Sequence, residues 1–174
     1  MLERILISGS GGQGVILTGR ILASLVVRDI PHITFFPAYG AEVRGGSSAC
    51  QVIMSSNEIA SPLSETFDTI VCMNQTSSEN FCKQMTKESL VIINTSLCRI
   101  PAVHSKILQV DATHMADSLR DTRVANFIML GAYLAAKPIV TPFHAEKGIR
   151  ELLEGKNMSL IELNIKAFRA GLKS

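Results

Sequence analysis

Short apolar runs alternate along this chain with stretches of helical periodicity. The first run, Leu2 to Ser8, reads as a strand, and Gly12 to Arg28 reads as a helix whose Val15, Leu22, Leu25 and Val26 form one apolar stripe. His32 to Phe36 is a second, short strand. From Ser47 to Ser55, Cys50, Val52 and Met54 alternate with Ala49, Gln51 and Ile53, which predicts a strand pairing antiparallel at or near a sheet edge. Phe67 to Met73 and Leu90 to Asn94 are buried strands separated by a polar helix-like stretch from Ser77 to Met85, and Ile107 to Val110 is the last strand. The C-terminal third is helical. One helix covers Val124 to Ala136, a second begins at Thr141 with Pro142 in its first turn and stops near Gly155, and a third begins at Ser159 with Glu162 at capping-box spacing. Strands alternating with helices predict an α/β domain of three layers, a mostly parallel sheet of four or more parallel strands flanked by helices.

A chain of 174 residues, 47% hydrophobic and 18% charged, is long enough for one domain with a full core and too short for two ordinary ones, so residues 1–174 are expected to form a single domain. A net charge of +2 without runs of Lys or Arg gives no electrostatic footprint for nucleic acid or an acidic membrane. The N-terminus enters its strand without the pattern of a signal peptide, and no apolar run approaches the ~20 residues that span a bilayer. A cytoplasmic protein is expected. Cysteines 50, 72, 82 and 98 match neither a zinc site nor an iron–sulfur run and read as buried reduced thiols. Any cluster serving this protein must be held by another chain. Neither do the four histidines have metal-binding spacing, so no metal site and no catalytic residue is predicted.

Two glycine-rich segments carry the candidate chemistry. Gly9, Gly11, Gly12, Gln13 and Gly14 follow the first strand with Gly-x-Gly-x-x-Gly spacing, in which the main chain turns tightly and a helix opens with N–H groups available to an anion. A dinucleotide site also needs a carboxylate at the end of the second strand, but Ile33-Thr34-Phe35-Phe36 runs into Pro37, and Asp29 lies before that strand. No Lys-Ser or Lys-Thr closes a Walker-type loop. Close helix–strand packing is the alternative use for these glycines. The second segment contains Tyr39, Gly40, Glu42, Arg44, Gly45, Gly46 and Ser47. Three glycines there make a poor core and cost roughly 0.5–1 kcal/mol each when ordered. Arg44 has the planar fork that grips a carboxylate or phosphate, with Glu42 to orient it, or the two pair only with each other. Asn126, inside a helix, is a further candidate. Ser8 and Ser10 lack the Gly-x-Ser-x-Gly elbow of a hydrolase.

The pattern Gly-x-Gly-Gly-Gln-Gly-x-x-x-x-Gly-x-x-Leu-Ala from Gly9 to Ala23, joined to Pro-x-Tyr-Gly-x-Glu-x-Arg-Gly-Gly-x-Ser from Pro37 to Ser48, resembles the gamma subunit of 2-oxoacid:ferredoxin oxidoreductases. Asn126-x-x-x-Leu130-Gly131-Ala132 is similar to that family's helix, and the resemblance covers essentially the whole chain. It implies a Rossmann-like fold and a subunit, inactive alone, of an enzyme that oxidatively decarboxylates a 2-oxoacid, passes the acyl group to coenzyme A and delivers electrons to ferredoxin. The implied holoenzyme uses thiamine diphosphate, Mg2+, iron–sulfur clusters and coenzyme A, none of them bound by this chain alone. The implied partners are alpha, beta and ferredoxin-like delta subunits, with 2-oxoglutarate or a branched-chain 2-oxoacid as substrate. Either glycine segment would then face a partner subunit or coenzyme A, and an isolated chain could form a homodimer through faces meant for partners. A stand-alone flavin- or nucleotide-binding protein is the competing reading.

Overall fold

The computed structural model describes residues 1–39, 46–81 and 84–174. Six strands form one sheet: β1 (Leu2–Ser10), β2 (His32–Tyr39), β3 (Ser47–Ser55), β4 (Phe67–Cys72), β5 (Met85–Asn94) and β6 (Lys106–Val110), in the order β2-β3-β1-β4-β5-β6. β1, β4, β5 and β6 are mutually parallel, whereas β3 runs antiparallel between β1 and β2, with Ile5 opposite Val52 on one side and Phe35 opposite Val52 on the other. The antiparallel strand predicted near an edge is therefore second from it. The predicted mostly parallel α/β sheet is present.

Alternation along the strands sorts side chains to two faces. Ile5, Ile7, Val52, Met54, Val71, Ile92 and Val110 share a core with α1 (Val15–Val26), α3 (Ala112–Ser118), α4 (Ala125–Ala136), α5 (Pro142–Leu152) and α6 (Met158–Gly171). The opposite face buries Leu6, Phe67, Ile70, Cys72 and Ile93 beneath the short α2 (Gln75–Phe81) and the segment around Cys98. Among the described residues one face thus carries five helices and the other one.

Several boundaries differ from the sequence reading, each for a local reason. α1 starts at Val15 rather than Gly12, because Gly12 (φ +94°) and Gly14 (φ +74°) hold left-handed backbone that no helix contains. β2 continues past Phe36 through Pro37 to Tyr39, which an edge strand permits because proline lacks only a ladder donor. α2 is described over Gln75–Phe81 against the expected Ser77 to Met85; the Asn74 side chain accepts from the Ser77 N–H at 2.9 Å and starts it early, and Met85 already belongs to β5. β5 extends back to Met85. α3 was not foreseen. The last helix is capped by Asn157, whose Oδ1 accepts from the Ser159 N–H at 2.9 Å; Glu162 does not close a capping box but pairs with Arg150 of α5. The expected start of α5 is present, with the Thr141 hydroxyl accepting from the His144 N–H at 3.3 Å.

α4 and α6 cross backbone to backbone. A Cβ on Gly131 would overlap the Phe168 carbonyl, and one on Gly171 would overlap the Ile128 carbonyl. At the start of the same helix α4, Asn126 lies against Gly14 of the first glycine loop.

Candidate functional site

Open α/β sheets place ligands beyond the carboxyl ends of their parallel strands. Here the first glycine loop leaves β1 at that edge. Ser10 to Gly14 form a tight turn in which the Gln13 N–H donates to the Ser10 carbonyl at 3.1 Å and the Ser10 N–H donates to the Gln13 side-chain oxygen at 2.7 Å. Gly9 must lack a side chain, since a Cβ would lie 2.6 Å from Gln13 Oε1 and 2.8 Å from Met73 Cβ. At Gly14 a Cβ would lie 2.5 Å from Asn126 Nδ2 and 2.8 Å from its Cγ. Close packing thus explains Gly9 and Gly14. It does not explain Gly12, where a Cβ would meet nothing within 4 Å.

Gly12 opens on a cleft of about 220 Å³. The cleft is lined by Gln13, Met73, Leu97, Thr113, Thr122, Arg123 and Ala125. The N-terminus of α1 ends here with no side-chain cap at Gly14, whereas the start of α4 beside it is already capped, the Asp121 side chain accepting from the Arg123 N–H at 3.0 Å and the Thr122 carbonyl from the Ala125 N–H. The unpaired N–H groups of a helix start make this a region of positive potential. Arg123 adds a guanidinium with a side chain 80% exposed, held by Asp121 at 2.7 Å. That ion pair lowers the Asp121 pKa and raises that of Arg123, in each case mainly through their side-chain hydrogen bonds. Asn126, 2% exposed, presents an Oδ1 with no hydrogen-bond partner among the described residues.

A second polar layer fixes the loop from below. Asn74, just past β4, donates to the Ser10 hydroxyl at 2.5 Å and to Gln13 Oε1 at 3.3 Å, while its own oxygen accepts from the Ser77 N–H and hydroxyl. Ser8 Oγ donates to Ser77 Oγ at 3.0 Å. At the end of β5, Asn94 donates to the Met73 carbonyl at 3.2 Å and to Thr113 Oγ1 at 2.9 Å. Ser96 Oγ donates to Asp111 at 2.5 Å, which with the neighbouring His114 holds the Asp111 carboxyl below its usual range. The sequence reading missed Asn74, Asn94, Ser96, Asp111, Thr113 and Arg123. A signal for the first two was available: each is a polar residue closing an apolar strand at the edge where parallel sheets bind.

The two glycine segments meet. The Gly11 N–H donates to the Gly46 carbonyl at 2.9 Å, and Ser47 begins β3 opposite Ser10 of β1. Gly9, Gly11, Gly12, Gln13, Gly14, Gly46, Ser47 and Asn126 therefore gather at one edge of the sheet. Gly40, Glu42, Arg44 and Gly45, and the side chain of Tyr39, lie outside the described residues.

The topology also bears on the nucleotide reading. In a dinucleotide fold the ribose-binding acid ends the strand beside β1, but β1 here lies between antiparallel β3 and β4, and Met73 and Asn74 follow β4. Among the described residues no group of three His, Cys, Asp or Glu could hold a metal. Cys50, Cys72 and Cys98 are buried and not disulfide-bonded; Cys50 lies in the five-helix core and the other two in the core of the opposite face. Burial, opposed by a hydrogen bond from the Gly19 backbone, pushes the Cys50 thiol up to about 12. Cys82 lies outside the described residues. No helix among the described residues is long and apolar enough to cross a membrane.

This fold and edge define an α/β domain with a glycine-built cleft at the carboxyl ends of its parallel strands and, among the described residues, no clustered metal ligands. Residues 4–174 match the family model described as pyruvate ferredoxin/flavodoxin oxidoreductase, and the chain belongs to that family. It is 30% identical over 171 residues to the ketoisovalerate oxidoreductase subunit VorA of Methanothermobacter thermautotrophicus, covering 97% of this chain and 35% of that one. It is also 30% identical to the 2-oxoglutarate synthase subunit KorC of Methanocaldococcus jannaschii, covering 98% and 92% respectively. The gamma subunit of a keto/oxoacid ferredoxin oxidoreductase from Geobacter sulfurreducens superposes with a TM-score of 0.82 at 26% identity, over 98% of this chain and 96% of that one. The chain thus spans about a third of the VorA relative and nearly the whole of KorC, and it is a gamma-type subunit domain of this oxidoreductase family.

Proposed function

We propose that this chain is the gamma component of a thiamine-diphosphate-dependent complex that oxidatively decarboxylates a 2-oxoacid to its acyl-coenzyme A and passes the electrons to ferredoxin. The family match over residues 4–174 carries the reading, and the meeting of both glycine segments through Gly11 and Gly46 supports it. The described residues do not fit a thiamine–magnesium or iron–sulfur site, for want of clustered ligands, so those groups are assigned to alpha, beta and delta-type partner chains. They do fit an anion. The uncapped start of α1, the open face of Gly12 and the guanidinium of Arg123 meet at one cleft, and the Asn126 Oδ1 without a partner among the described residues lies beside it against Gly14.

Coenzyme A supplies the thiol that accepts the acyl group, and its phosphates are the anions such a cleft would receive. In this reading Gly12 admits the ligand close to the backbone, Arg123 balances charge at the mouth, and Asn126 fixes the relative position of α1 and α4. Arg44 completes the anchor through its planar fork, with Glu42 orienting it. Kinship to proteins named for ketoisovalerate and 2-oxoglutarate supports a branched-chain acid or 2-oxoglutarate as the substrate of the complex. Substrate choice is assigned to the partner chains.

Arg44→Ala in the assembled complex is expected to raise the coenzyme A concentration for half-saturation about tenfold or more, the loss of one charge-assisted contact of ~1.5–3 kcal/mol, with 2-oxoacid saturation unchanged. Steady-state kinetics against each substrate measures this. Unchanged coenzyme A saturation in a fully assembled complex would remove Arg44 from the proposed anchor.

A further inference from the structure

The two faces of the sheet are finished differently. Among the described residues five helices close one, while on the other α2 packs over β4 and β1 and leaves the β2–β3 half without a helix. Side chains on that half alternate away from the five-helix core, and among them Phe36 is 40% exposed. Beside it the Ser64 N–H donates to Gln51 Oε1 at 2.8 Å, which lays Leu63, 50% exposed, over β3. Met1 and Leu2, 59% and 51% exposed, continue the surface around buried Ile53 and Arg4, and a cleft of about 520 Å³ lies between them. β2 is also a sheet edge, with one side of its backbone unladdered. Single exposed apolar residues are ordinary, but Met1, Leu2 and Leu63 line one cleft and Phe36 lies opposite Gln51 beside it, and such a group on a sheet half without a helix marks a contact surface.

The relatives indicate what covers it. Nearly all of this chain aligns with only 35% of VorA, so there the same domain belongs to a polypeptide about three times as long, which must pack against it somewhere. We propose that the bare β2–β3 face is the surface on which this domain docks against the polypeptide equivalent to the remaining two-thirds of VorA. The inference rests on the subunit reading given above. Apolar contact at Phe36 and Leu63 supplies the core of the interface, and the free edge of β2 allows it to extend by main-chain pairing.

A photo-crosslinking side chain placed at Phe36 or at Leu63 in the native complex, with Phe143 on the helix-covered side as control (74% exposed), tests this directly. Adducts from the first two positions are expected to join a polypeptide whose sequence aligns with the remainder of VorA, with none from Phe143. In parallel, Leu63→Asp, on a loop where folding is least at risk, should lower recovery of that polypeptide at least tenfold while the circular dichroism and melting temperature stay as in the parent. Adducts to a second copy of this chain, or from Phe143 alone while the partner is still recovered, would overturn the docking face and leave the subunit reading intact. Recovery of the native protein with no VorA-like polypeptide at all would overturn both.

Discussion

Arg120 holds left-handed backbone, φ +66°, immediately past α3. Its N–H donates to the Asp117 carbonyl at 2.7 Å and the next N–H, of Asp121, to the Ala116 carbonyl at 3.2 Å, the double bond of a Schellman ending. That position suits glycine, and a side chain there costs about 1 kcal/mol. Arg120→Gly is expected to raise unfolding stability by about 0.5–1 kcal/mol in chemical denaturation, and a loss of stability would mean that the Arg120 side chain holds a contact worth more than the strain. The individual residues of the cleft were legible to different degrees. Gly9 to Gly14 stood out by spacing, although packing accounts for Gly9, packing and left-handed backbone for Gly14, and Gly12, also left-handed, faces open space. Asn74 and Asn94 were not singled out, because an asparagine at the end of an apolar run resembles any loop residue until the parallel strands are aligned and their ends gathered at one edge.

Among the elements, the crossing of α4 and α6 rests on two glycines, which gives the Leu130-Gly131-Ala132 part of the sequence pattern a packing role. Gly171→Ala would drive a methyl into the Ile128 carbonyl, and because both sides are backbone the helices must separate. The expected loss is about 2–3 kcal/mol, measured as a fall in denaturation midpoint with little change in slope; a neutral outcome would contradict this crossing. α5 and α6 are joined instead by ion pairs, Arg169 with Glu146 at 2.6 Å and Arg150 with Glu162. The Arg169 guanidinium holds the Glu146 carboxyl below its usual range. A carboxyl depressed in the fold contributes stability above its unfolded pKa, near 4.3 for Glu, and loses that contribution as pH falls through the lower folded value. Glu146→Gln should therefore cost about 0.5 kcal/mol at pH 7, a solvent-screened surface pair, with the difference from the parent closing below about pH 4. Thermal melts at both pH values measure it, and a gap that widens in acid would reverse the sign. These pairs were invisible to local pattern reading: Glu162 sits at the spacing of a capping box, and only the packing of α6 on α5 gives it a different partner.

At the level of the whole molecule, periodicity captured the strands and the three C-terminal helices because burial imposes those periods directly. It did not capture the order of the sheet. Placing β3 between β1 and β2 is a long-range pairing, with Leu2 opposite Ser55 and His32 opposite the same residue, and local pattern does not report pairings that distant. That insertion removes the strand on which a nucleotide-binding acid would sit, while leaving the glycine loop, the two helix N-termini and the Gly11–Gly46 bond at one edge. A domain with a glycine-built cleft, a sheet half without a helix and no clustered metal ligands, all among its described residues, fits a component that completes a larger enzyme.

Anaerobic native purification of this chain, with mass spectrometry of what accompanies it and a 2-oxoacid- and coenzyme A-dependent viologen reduction assay on the product, tests that account most directly. It predicts co-purifying thiamine-binding and cluster-bearing chains and reduction with a branched-chain 2-oxoacid or 2-oxoglutarate. A solitary chain carrying a flavin or nucleotide, and inert in that assay, would contradict it.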